Sequence, residues 1–122
     1  MMMDVIAVAI GGGIGAAARY GVDRATPKPW GTMVVNVLGS FALGVIVAIF
    51  HSGGSAEEPL IYHALGAGFC GGFTTFSTAS LDAMKIGRTD EALNGGTYSL
   101  AMLAGCLLSA AVGMAIGTVL SR

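Results

Sequence analysis

Charged residues are scarce in this chain of 122 residues, because Asp, Glu, Lys and Arg together make up only 11%. Soluble domains carry about 25% charged residues, so this chain has less than half of the usual solvating charge. The formal net charge is −1, so no excess of basic residues is available for nucleic acid. The composition excludes a disordered chain, a nucleic-acid-binding protein and an ordinary soluble enzyme.

Cysteine is nearly absent as well, with Cys70 and Cys106 lying in separate apolar stretches. A disulfide framework needs more cysteines in a loop-rich chain. The histidines, His51 and His63, lie far from both cysteines in the sequence, so a zinc site is not indicated. We expect both cysteines to be small apolar core residues.

Hydrophobic residues make up 54% of the chain, and they fall into four long segments separated by short polar breaks. A helix needs about 20 residues to cross the hydrocarbon core of a bilayer. The pattern predicts one all-α membrane domain, residues 1–122, with four transmembrane helices. Their bounds are about 4–22, 30–50, 60–86 and 96–120.

Small residues recur every four positions in the last segment, at Ala101, Gly105, Ser109, Gly113 and Gly117. Such a stripe lets two helix backbones pack closely in a membrane. Four helices of this size make too small a bundle to enclose a pore and still bury every stripe. We therefore expect at least a dimer.

Basic residues near the predicted spans are distributed unevenly. Arg24 and Lys28 follow the first span and Lys85 and Arg88 lie near the end of the third, whereas Arg122 alone lies on the opposite side. The positive-inside rule then predicts one fixed orientation, with both termini outside the cytoplasm.

Polar groups within the spans are neutral. No Asp or Glu lies near the middle of a span, which argues against a proton-coupled antiporter. Asn36 and Ser40 lie one turn apart, and residues 71–80 join two glycines to a dense run of Ser and Thr. We expect this run to break the third helix near its centre, so that freed backbone groups line a cavity or bind an ion. The alternative is that the hydroxyls bond back to their own helix.

A resemblance to a known family extends over nearly the whole chain. It is carried by the run Gly68–Thr78, by Gly31-Thr32 with Asn36 and Gly39, and by residues 12–20. The sequence resembles the Fluc (CrcB) fluoride channels, small four-span proteins of the bacterial plasma (inner) membrane. Members of that family export toxic fluoride passively, without catalysis.

The resemblance implies an antiparallel dimer in the lipid bilayer, with two narrow pores built from both subunits. It also implies a structural sodium ion held by the backbone carbonyls of Gly71 and Thr74, and carbonyl oxygens suit a hard cation. The residues that it implies for the fluoride path are Asn36, Phe76, Ser77, Thr78, Tyr98 and, at the vestibule, Arg19.

Four positions depart from the family pattern. Ala79 stands where a second pore phenylalanine is usual, Met102 and Cys106 replace serines, and Asp82 replaces glutamate. In some bacteria the family forms heterodimers of two fixed-orientation subunits with one working pore. The departures and the charge bias favour such a subunit over a homodimer, and both remain open. A membrane scaffold without transport activity is the other candidate function.

Overall fold

The structure is a computed structural model that describes residues 1–52, 59–89 and 94–122, and all regular elements in these residues are helices. Glu57 and Glu58, expected in a loop, lie outside the described residues. Four helices are regular: α1 (Met2–Ala25), α2 (Trp30–His51), α4 (Phe76–Thr89) and α5 (Gly95–Leu120). A fifth, α3, is built from three consecutive pieces, Leu60–His63, Ala64–Cys70 and Gly71–Phe73.

The helix ends follow from local chemistry. The chain leaves α1 through Thr26 in an extended conformation, as expected for a residue that precedes proline. The Trp30 amide donates to the Pro27 carbonyl (3.0 Å) where α2 begins. Asn94 caps α5, because its Oδ1 accepts a hydrogen bond from the Thr97 amide (2.7 Å).

The middle piece of α3, Ala64–Cys70, is a π-helix. It packs against α1 through glycines at which the two backbones nearly touch. A Cβ atom added at Gly11 would collide with the Ala64 carbonyl, and one added at Gly15 would collide with the Phe69 carbonyl. Small residues at such contacts are typical of helix packing in membranes.

Within the described residues, three helices are long and apolar enough to cross a membrane: α1, α2 and α5. The predicted third span, residues 60–86, is divided between α3 and α4, and neither helix alone has the length and hydropathy of a span. Helix α3 ends at Phe73, and Thr74 is extended (φ −82°, ψ 162°). Thr75 is also non-helical, and α4 begins at Phe76.

The stripe of small residues on α5 packs against α2. The Gly113 Cα faces the Phe41 carbonyl, and Gly117 faces Val45 and Ala48. One turn before Gly113, the Ser109 hydroxyl donates to the Val37 carbonyl (2.8 Å). The stripe therefore brings the two backbones together as the sequence predicts, with the exception of the exposed Ala101.

Gly113→Ala is expected to lower the stability of the chain by about 1–3 kcal/mol, since its Cβ would overlap the Phe41 backbone and force α2 and α5 apart. Gly105→Ala, on the same helix, is the matched control, because its Cβ would make only ordinary contact with Val37 (3.4 Å). Thermal unfolding in detergent measures both variants. Equal melting temperatures would contradict the packing described here.

Candidate functional site

The backbone groups released between α3 and α4 are satisfied by a side chain of α2. The Thr75 amide donates to Asn36 Oδ1 (2.7 Å), and Asn36 Nδ2 donates to the Thr75 carbonyl (2.9 Å). Both residues are buried. A side-chain amide is suited to this task, because its oxygen accepts from the Thr75 N–H, which has no helical partner, while its N–H donates to a second lone pair of the Thr75 carbonyl. The pair therefore satisfies buried backbone groups where the chain is not helical.

Two carbonyls on the α3 side are also released from the helix. The Thr75 amide, which would bond to the Gly71 carbonyl in a continuous helix, bonds to Asn36 instead. The Thr78 amide, the helical partner of the Thr74 carbonyl, bonds to Thr75 Oγ1 (3.2 Å). The Thr74 carbonyl accepts a hydrogen bond from Arg19 Nη1 (3.1 Å).

Thr75 is also the N-cap of α4. Its hydroxyl accepts from the Thr78 amide, three residues on, which is the usual N-cap geometry. The hydroxyls of Ser77 and Thr78 lie 3.4 Å and 3.1 Å from the same oxygen. Thr75 therefore fixes both the end of the interruption and the direction in which α4 leaves it.

The Ser and Thr residues between positions 74 and 80 do not all form the same kind of hydrogen bond: some bond back to their own helix, and others bond to one another. Thr74 Oγ1 donates back to the Cys70 carbonyl (2.9 Å), and Ser80 Oγ donates back to the Phe76 carbonyl (2.9 Å). For these two residues the alternative of back-bonding is correct. Thr75 and Thr78 instead form a cluster at the start of α4.

A half-open cavity of about 460 Å³ lies beside the interruption, between α2, α3, α4 and α5. Five of the residues implied by the resemblance line it: Asn36, Gly71, Thr74, Phe76 and Tyr98. The other three do not line it: Arg19, Ser77 and Thr78. The remaining polar or sulfur-bearing lining residues are Ser40, Cys70, Thr75, Ser80, Ser99, Met102 and Cys106.

Asn36 retains one donor toward the cavity. Its Nδ2 carries two hydrogens, and the second points to Met102 Sδ (3.2 Å). A thioether is a weak acceptor, so this donor is poorly used. Ala79 also lines the cavity, and no aromatic ring is present at that position.

A second pair of buried polar side chains joins α2 to α4. Thr32 Oγ1 donates to Asp82 Oδ2 (2.6 Å), and both side chains are buried. The Tyr98 hydroxyl donates to the Pro29 carbonyl (3.1 Å), which ties the start of α5 to the start of α2. Tyr98 packs with Ile86 and Met102 in the hydrophobic core.

Sequence reasoning missed Thr75, although it is the partner of Asn36 and the cap of α4. Its position after Gly-Gly-Phe-Thr marks it only as one of several hydroxyl residues. The contact that singles it out joins residues 39 positions apart. The Thr32–Asp82 bond was missed for the same reason, since 50 positions separate its partners.

The fold and the cavity define a small multi-pass helical membrane protein with a polar site at a helix interruption. The chain belongs to the family described as CrcB-like protein, Camphor Resistance (CrcB), whose sequence model matches residues 6–114. The family assignment made from the sequence is confirmed.

Curated relatives cover almost the whole chain. Fluoride-specific ion channel FluC 2 of Cutibacterium acnes is 39% identical, over 95% of this chain and 98% of the relative. Fluoride-specific ion channel FluC of Rhizobium leguminosarum bv. trifolii is 38% identical, over 94% and 96%. Fluoride-specific ion channel FluC 2 of Nocardia farcinica is 36% identical, over 97% and 84%.

Asn36→Ala is expected to destabilise the chain by about 1–3 kcal/mol, because the buried Thr75 N–H would be left unpaired. Ser40→Ala is the matched control: it lies one turn further along α2 and lines the same cavity. Thermal unfolding in detergent should separate the two variants. If both unfold at the temperature of the unmodified chain, Asn36 does not support the interruption.

Proposed function

We propose that this chain is a subunit of a fluoride channel that exports cytoplasmic fluoride passively and so lowers its toxicity. The observation that carries the proposal is the buried Asn36 amide, whose second N–H points into the cavity toward a weak acceptor. Family membership and the names of the relatives support fluoride as the ion.

Fluoride is small and strongly hydrated, so a narrow apolar passage must replace its lost water contacts. An amide N–H and the positive edge of a phenyl ring are groups that can do this. Asn36 supplies the first, and Phe76, at the start of α4, supplies the second. The remaining lining is largely apolar or neutral, so it offers no fixed charge that would trap the anion.

The proposed channel has four spans, of which α3 and α4 together form the third, broken at Thr74 and Thr75. Two observations support a second subunit, which the resemblance implies to be antiparallel to the first. The cavity is open on one side, and the Phe76 ring at its edge is 88% exposed in the single chain. A dimer would close the cavity into a path between the subunits.

A structural sodium ion is part of the proposal, and the released carbonyls of Gly71 and Thr74 would hold it. Both have lost their helical partners, and carbonyl oxygens are suitable ligands for a hard cation. The Arg19 guanidinium occupies one lone pair of the Thr74 carbonyl, which leaves one for a cation. The ion would hold the interruptions of two subunits together.

Arg19 is proposed to support the interruption in addition to the vestibule role that the resemblance implies. Its hydrogen bond to the Thr74 carbonyl supports a role in holding the interruption. Its positive charge also lies near the cavity and favours an anion there.

We further propose a fixed orientation and a heteromeric pair. The Tyr98–Pro29 bond brings the starts of α2 and α5 to one end of the bundle, which also holds Arg24, Lys28, Lys85 and Arg88 near the ends of α1 and α4. Arg122 follows α5 at the other end. This asymmetry favours one orientation, with the four basic residues in the cytoplasm. The number in the FluC 2 names supports pairs of such chains.

Fluoride efflux from liposomes, followed with a fluoride electrode, tests the function. The unmodified chain alone is expected to conduct poorly, because Ala79 and Met102 each remove a group that would compensate dehydration. Ala79→Phe with Met102→Ser should raise the efflux rate at least tenfold, which corresponds to about 1.4 kcal/mol of barrier. Adding Phe76→Ala to that double variant should abolish the gain.

Phe50→Ala is the matched control for the aromatic substitution, since Phe50 packs on Tyr62 (centroids 5.7 Å) away from the cavity. It should leave efflux through the double variant unchanged. Rapid efflux through the unmodified chain alone would contradict the half-pore account. No efflux in any form, including with a homologous partner, would favour the scaffold function.

A further inference from the structure

Three sulfur-bearing side chains line the cavity beside the interruption, and the proposed fluoride path uses none of them. Met102 and Cys106 come from α5, and Cys70 comes from α3. Both cysteines are free. Oxygen-seeking cations and fluoride have little affinity for thiols and thioethers, whereas soft metal ions bind them strongly.

Met102 and Cys106 lie next to each other. They are four residues apart on one helix, so their side chains emerge on the same face, with Cβ atoms about 5–6 Å apart. Met102 is buried, and Cys106 packs against the core cluster that contains it. Met102 Sδ is directed toward Asn36 Nδ2 (3.2 Å), at the cavity wall and not toward lipid.

The ligand set selects the kind of metal. Among the described residues, no three His, Cys, Asp or Glu side chains are grouped to hold a metal ion. Zinc, which takes four such ligands in structural sites, is therefore not favoured. Monovalent copper and silver are satisfied by two sulfur ligands, and thiolate and thioether groups select them.

We propose that Met102 and Cys106 form a binding site for a soft monovalent cation, silver(I) or copper(I), with Cys70 as a further sulfur within the same cavity. Binding forms one bond to the Met102 thioether and one to the Cys106 sulfur, whose thiol proton passes to solvent. No oxidant or reductant is needed. The metal occupies the cavity beside Asn36 and removes Met102 from that amide.

Silver(I) is the practical probe, because it is stable in air and acts as a copper(I) surrogate with the same ligand preference. Equilibrium dialysis of the purified chain in chloride-free detergent buffer, with metal analysis, should give about one tightly bound silver ion per chain. Cys106→Ser and Met102→Leu should each weaken that binding tenfold or more. Cys106→Met, which restores a sulfur, should recover most of it.

Two controls separate this site from other methionines. Met114→Leu, on the outer face of α5, should leave binding unchanged. The exposed N-terminal methionines offer a competing sulfur cluster, so all variants carry Met2→Leu and Met3→Leu. Loss of tight silver binding on introducing Met2→Leu and Met3→Leu would overturn the site. Tight binding that survives both Cys106→Ser and Met102→Leu would overturn it as well. Binding that depends only on Cys70 would also overturn it.

The expectation that silver blocks fluoride efflux rests on the proposed function, and so it is measured separately. The liposomes contain this chain, with Met102 unchanged, together with a homologous partner that makes the complex conduct. Silver nitrate should slow efflux through that complex, and Cys106→Ser should restore the rate. Silver that binds at Met102 and Cys106 without slowing efflux would contradict the proposed ion path and leave the metal site standing. Absence of tight binding would overturn the metal site irrespective of flux.

Discussion

The reciprocal hydrogen bonds between the Asn36 side chain and the Thr75 peptide are the interaction on which the rest of the site depends. A chain that leaves helical geometry inside a bilayer must satisfy its released N–H and C=O groups within the protein. Asn36 binds both backbone groups of Thr75 with one amide, at 2.7 Å and 2.9 Å. Because Asn36 belongs to α2, these bonds hold the interruption between α3 and α4 against that helix, and Thr75 caps α4 from there.

Close backbone packing makes room for such a site in a very small protein. Glycines on α1 meet carbonyls of α3, and glycines on α5 meet carbonyls of α2, so the helices occupy little volume where they touch. The cavity lies between α2, α3, α4 and α5, and Met102 and Cys106 are among its lining residues.

The sequence predicted well what depends on local composition. The three long apolar helices follow from hydropathy and length, and the packing of Gly113 and Gly117 follows from their spacing. Asn36 could be singled out because an amide within an apolar span is expensive. The partners of polar groups could not be predicted, because Arg19–Thr74 and Thr32–Asp82 join residues 55 and 50 positions apart. Nor could the sequence predict that the middle piece of α3, which packs closely against α1, is π-helical.

The central proposal is that the Asn36 amide hydrogen directed toward the weak acceptor Met102 Sδ is the donor that meets the anion. The chain makes this directly measurable by NMR, since it contains two asparagines, Asn36 and Asn94, and no glutamine. In a nitrogen-15 labelled sample, only two side-chain amide groups give signals, and Asn94, which caps α5 at an exposed position, is the internal reference. Titration with fluoride should shift the Asn36 amide signal and leave that of Asn94 in place, whereas chloride should shift neither. An Asn36 signal that ignores fluoride, or that responds equally to chloride, would contradict the account.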